Sequence, residues 1–169
     1  MRRQARLLEY LVGKWDPEIQ AFRISLHILE IDLEDIYSII ELSKRGTSVS
    51  MSGHKNVEET TTDYISTYYV IGTEKKSGKT PIKEVVNMPL RTILFTIVRV
   101  FGSIGFHHAT KAHMTYALEC TESRVFNWCG GLLVNLRDQL NKCRTGKHQF
   151  SYGLILVSFF LERVPLLHA

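Results

Sequence analysis

The 169-residue chain is 44% hydrophobic and 22% charged, with a formal net charge of +4; this is a globular composition that excludes disordered, collagen-like and coiled-coil classes. Three cysteines without paired spacing argue against a disulfide-stapled secreted domain and fit a reducing compartment, cytosol or nucleus. The charge is uneven: residues 1–89 hold 12 Lys/Arg against 13 Asp/Glu and residues 90–169 hold 9 against 4, a bias that either solvates the surface or attracts an acidic partner.

Arg3 to Val12 sets Ala5, Leu8, Leu11 and Val12 at helical spacing, which predicts an amphipathic helix stopped by Gly13. Asp16-Pro17 resets the backbone. From Phe22 the apolar residues alternate through Ile24, Leu26 and Ile28, and then change parity at Leu29 and Ile31. That shift predicts a strand pair or a bulged strand. Asp32 is placed to cap a helix over 33–42, with Asp35 favouring the same positive helix end, and Leu33, Ile36, Tyr37 and Ile40 form its predicted core face. Lys44 and Arg45 follow in the closing turn, near the negative end of that helix dipole. A tyrosine-bearing helix is expected over Asn56 to Ile71, and EKKSGKT at 74–80 reads as a linker before Pro81. Further helices are expected over 90–101, buried on most sides, over 111–119, over 124–140 with a break at Gly130-Gly131, and over 150–164, closed by Pro165. The fold class is therefore mainly α, with a small strand pair near residues 22–31. The regions are 1–73, a linker at 74–80 and a basic helical region at 81–169, or these form one domain.

The residue chemistry offers little catalysis. Cys120, Cys129 and Cys143 have no CxxC spacing, and His107, His108 and His113 lack the i, i+4 spacing that aims two imidazoles at one metal, so no metal is expected. No GxSxG elbow is present, and Ser77-Gly78-Lys79-Thr80 has only the tail of a phosphate loop. Glu30, Asp32, Glu34 and Asp35 cluster for the helix end rather than for acid/base work. Tyr64, Tyr68 and Tyr69, and separately Phe126 and Trp128, read as core or interface aromatics, since little basic sequence interleaves them. The apolar runs at 90–101 and 152–161 fall short of the roughly 20 residues a membrane-spanning helix needs, and the charged N-terminus does not read as a secretory signal, so no membrane partner is expected.

Leu33-Glu34-Asp35-Ile36-Tyr37 followed by Leu42-Ser43-Lys44-Arg45-Gly46 resembles the TLEDIYxLTGLxxRG block of the plant mobile domain, a family also described as aminotransferase-like. RTILFTIVRVFGS at 91–103 and HMTYALE at 113–119 are similar to other pieces of that group. The family carries Thr-Gly where this chain has Ile40-Glu41, which implies a helix running a turn longer here. The family domain is longer than this chain, which implies a truncated or diverged copy. The resemblance implies a largely helical nuclear domain of transposable elements and of host proteins that silence them, with protein partners among chromatin or silencing factors. It implies no enzyme and no cofactor: a pyridoxal-phosphate enzyme needs a two-domain fold and a suitable lysine, and neither is evident here.

Two readings follow. The first is a non-enzymatic nuclear interaction module carried by Leu33, Glu34, Asp35, Ile36, Tyr37, Leu42, Arg45 and Gly46. The second is direct nucleic-acid binding by the basic second half, with Lys111, Arg124, Arg137, Lys142, Arg144 and Lys147 contacting phosphates. Four of those cations fall within 137–147, where a helix C-terminus also favours positive charge and where a basic turn is expected at Thr145-Gly146.

Overall fold

In the computed structural model the structure describes residues 2–50, 79–101, 108–144 and 151–167. The tyrosine-bearing segment 56–71, most of the predicted linker, the glycines at 102 and 105, the turn at 145–146 and Lys147 lie outside the described residues. Six α-helices are present among the described residues, with short antiparallel strands, so the chain is mainly α with a small sheet near its N-terminus. Its contacts divide it into two compact units, Met1–Ser48 with Asn127–Ala169, and Val49–Phe126. The division thus runs near residues 48 and 126, while the stretch 74–80 lies inside the second unit. Composition along the chain carries no mark of this division, because the first unit closes by long-range packing of the two chain ends.

In the first unit, α1 (Arg2–Gly13) leads into a three-stranded antiparallel sheet of β1 (Trp15–Asp16), β2 (Ala21–Ile24) and β3 (His27–Leu29). The parity shift read in the sequence is a tight hairpin. Phe22 faces Leu29 and Ile24 faces His27, and Ser25 in the connecting turn adopts φ 53°. Leu26 therefore sits at the hairpin tip, 98% exposed, while Ala21 and Phe22 are fully buried. Trp15, ahead of the alternation that starts at Phe22, pairs with Phe22 as an added strand. Its ring packs edge-on against Phe22 at 4.9 Å, and its indole N–H donates to Asn141 at 2.7 Å, so this buried polar group is satisfied.

Helix α2 (Leu33–Ile40) packs against α5 (Trp128–Arg144) and α6 (Gly153–Leu167). It ends two residues earlier than expected and does not run a turn longer. Glu41 takes the left-handed conformation (φ 52°, ψ 23°), its amide closing on the Tyr37 carbonyl at 2.8 Å, and a residue in that conformation cannot continue a right-handed helix. Its core face also differs. Ile36 and Asp35 are buried and Leu33 and Ile40 are half-buried, whereas Tyr37 is 41% exposed. One turn of apolar spacing marks a face but not which flank of it meets the neighbouring helices.

The glycine pair lies in the first turn of α5 rather than in mid-helix, because residues 124–127 are not helical and α5 starts at Trp128. The Asn127 side chain accepts from the Gly130 amide at 2.7 Å, and a Cβ at Gly130 would lie 2.8 Å from that side chain. Glycine at this point admits the cap. Beyond it Cys129, Leu132, Leu136 and Leu140 form the fully buried stripe of α5, and α6 contributes Leu156 and Phe159. Phe159 and Phe160 stack edge-on with each other and surround Phe22. The backbone of α6 runs through Pro165 to Leu167, so the proline does not close the helix at 164; the carbonyl it leaves without an amide, that of Leu161, lies in the last two turns.

In the second unit, β4 (Lys79–Pro81) pairs antiparallel with β5 (His108–Thr110), a 3-10 turn follows over Ile82–Glu84, and α3 (Met88–Phe101) packs against α4 (Lys111–Thr121). Lys79 and Thr80, read as the end of a linker, are thus strand residues. Helix α3 is apolar on most sides but buried on one stripe, Leu90, Leu94, Ile97, Val98 and Phe101, with Phe95 exposed on another side. The Asn87 side chain caps it by accepting from the Leu90 amide at 3.0 Å. Phe126 is buried edge-on against Tyr116 at 5.2 Å, which places it in the core rather than on a stacking surface.

Candidate functional site

The block Leu33–Gly46 is built around two carboxylates with different duties. Asp32 takes an extended conformation and its carboxylate accepts from the amides of Glu34 and Asp35 at 2.9 and 3.0 Å. Asp35 returns the bond, accepting from the Asp32 amide at 2.9 Å, so the helix end is closed from both sides. The amide bond from Asp35 holds the Asp32 carboxyl below the usual carboxylate range, against an opposing push from burial.

The second oxygen of Asp35 is ion-paired with the Arg163 guanidinium of α6. Arg163 in turn lies over the Phe159 ring, 5.4 Å from its centroid. Asp35 is 7% exposed, so its charge is desolvated and this pair, which spans 128 positions of sequence, is what compensates it. Just upstream, Arg137 of α5 donates to the Ile31 carbonyl at 2.8 Å. Downstream, the Leu42 carbonyl accepts from the Cys129 thiol at 2.9 Å and the Ser43 carbonyl from the Cys129 amide at 3.2 Å. Burial raises the pKa of Cys129, as it does those of Cys120 and Cys143, which keeps these thiols protonated and poorly nucleophilic. The block is therefore held at both ends and at its cap by α5 and α6.

Its outward side is a compact polar and aromatic cluster. Lys44 pairs with Glu34 at 2.5 Å and lies over the Tyr37 ring, 4.6 Å from its centroid. Arg45 and Gly46 are exposed beside it, and Gly46 has φ 107°, a conformation glycine adopts without strain. Of the block residues, Asp35 and Ile36 serve the interior, Leu33 and Leu42 are half-buried, and Glu34, Tyr37, Arg45 and Gly46 face solvent.

The six cations read as phosphate contacts are divided between the two units. Lys111 and Arg124 belong to the second unit, and Arg137, Lys142, Arg144 and Lys147 to the first. Among those described, Arg124 pairs with Glu119 at 3.4 Å, Lys142 with Asp138 at 2.5 Å, and Arg144 donates to the Gly13 carbonyl at 3.1 Å. Arg137 is half-buried and acts on the backbone. Lys111 opens α4, its side chain lying outside the described residues, as does all of Lys147. Sequence spacing marked their density but could not show that carboxylates and carbonyls of the same fold already partner four of them. Arg163, absent from that reading, had no local signal. Its role depends on α6 crossing α2.

No family model matches the chain, and no curated protein and no solved structure matches it either. No helix among the described residues is long and apolar enough to cross a membrane.

Proposed function

We propose that the chain is a non-enzymatic nuclear interaction module that resembles the plant mobile domain and acts through protein partners on transposon-related chromatin. The observation that carries this reading is the division of labour within Leu33–Gly46. Its buried members are used by the cap, the Arg163 pair and the helix packing, while Glu34, Tyr37, Lys44 and Arg45 form an anchored outward surface. A recognition patch held on a rigid helix loses little entropy on binding. The left-handed Glu41 adds support, because the family block has its glycine at this position and the backbone here keeps the conformation that glycine favours.

The nucleic-acid reading is separated from this one by salt. Several phosphate contacts would lower affinity for duplex DNA steeply, by orders of magnitude, between about 50 and 200 mM salt. With Arg124, Lys142 and Arg144 engaged within the fold, a shallow dependence is expected, and replacing Lys142, Arg144 and Lys147 together by glutamine is expected to leave both the fold and protein capture intact. A steep slope abolished by that triple substitution would move the function to the basic stretch.

A further inference from the structure

Outside the Leu33–Gly46 block, the second unit contains a buried titratable group in an unusual place. Thr110 is the last residue of β5 and the N-cap of α4, and its partner across the helix end is His113. The Thr110 hydroxyl accepts from the His113 amide at 3.4 Å, and the Thr110 amide donates to His113 Nδ1 at 3.0 Å, with the Thr110 hydroxyl also 3.0 Å from that nitrogen. Glutamate or glutamine commonly fills that reciprocal position. Accepting an amide hydrogen requires a bare lone pair on Nδ1, so the ring is neutral and carries its hydrogen on Nε2. His113 is 8% exposed, between the buried Ala112 and Met114. The same helix holds the start of the unit, since the Tyr116 hydroxyl bonds both the amide and the carbonyl of Ser50, at 3.0 and 3.3 Å.

We propose that His113 is a proton-sensitive latch: the neutral ring joins the β4–β5 ribbon to α4, and protonation at Nδ1 breaks the bond from the Thr110 amide, turns the ring nitrogen into a donor toward the Thr110 hydroxyl alone and loosens that helix end. Among the described residues burial is the influence on the ring, and Glu84, in the 3-10 turn between β4 and α3, adds none. Among the described residues, α3 has Arg91 and Arg99 as its ionisable residues, β4 has Lys79, β5 has His108, and none of the three elements bears a carboxylate. On α4 itself Lys111 precedes the ring and Glu119, nearly two turns beyond it, pairs with Arg124. Burial alone lowers the pKa of His113 to about 4.

The consequence has a definite sign. A histidine of the unfolded chain takes its proton near pH 6.5, before the folded one does at about 4, so stability is complete above the first value and falls between the two. Over that window the unfolding equilibrium shifts by up to about 300-fold from this group.

Amide exchange of α4 followed from pH 7.5 to 4.5, corrected for intrinsic exchange, tests the latch in the full chain. Protection at Thr110 and His113 is expected to fall by close to tenfold per pH unit below 6.5. His113→Gln, which keeps an acceptor but does not titrate in this range, is expected to show a markedly shallower decline. Equal declines in both chains would overturn the proposal. In wild type the His113 ring resonance is expected to titrate below pH 5, a measurement that stands even if the variant fails to fold; titration near 6.5 would overturn the proposal.

Discussion

Replacing Ile36 by aspartate is expected to lower the stability of the first unit by about 4 kcal/mol or more, seen as a fall in melting temperature of roughly 15–30 °C. Ile36 is fully buried on α2, the helix that packs against both α5 and α6. The substitution removes an apolar side chain worth about 2–3 kcal/mol of burial and buries a carboxylate on a helix whose partner cation from α6, Arg163, is already used by Asp35. Ile36→Val is the control, with an expected loss of about 1 kcal/mol. A melting temperature unchanged in Ile36→Asp would show that α2 does not pack through this face.

Asp35→Ala is the second large effect, about 3 kcal/mol. It opens the reciprocal cap at Asp32 and strands the Arg163 charge, and breaking a buried pair from one side costs more than the pair itself contributes. The Arg163 side chain is about one-third exposed, so water recovers part of that loss, which keeps the figure at the lower end for buried pairs. The two contributions separate in a double-mutant cycle with Arg163→Met. Asp35→Ala alone loses cap and pair, Arg163→Met alone loses the pair and leaves a buried carboxylate, and the cycle should return a coupling of about 1–3 kcal/mol. Denaturant midpoints at matched slopes measure it, and additive losses would place the importance of Asp35 in the cap alone.

Local chemistry explains which parts of this architecture were readable before the structure. The Asp32 cap, the α1 boundary at Gly13 and the parity shift at Leu29 are each set by a few neighbouring residues, and each was legible. The Thr110–His113 cap had the right spacing, but with a histidine in place of glutamate it did not declare itself. Tyr37 was misplaced because its helix has only eight residues, too few for periodicity to fix which flank turns inward. The Trp15 strand, the Arg137 bond to Ile31 and the Asp35–Arg163 pair span 7, 106 and 128 positions. The two long ones depend on α5 and α6 returning to α2. Of the proposed site, the block itself was visible in the sequence, whereas its division into a clamped interior and an outward Glu34–Tyr37–Lys44 cluster depends on those returning helices.

Affinity capture from plant nuclear extract by wild type and by a Tyr37→Ala/Arg45→Ala chain of matched melting temperature tests most directly whether the outward side of the block is the interaction surface. Wild type is expected to retain chromatin or silencing proteins that the double variant loses, with both chains equally folded. Equal capture by the two, or no chromatin-associated partner with either, would contradict the account.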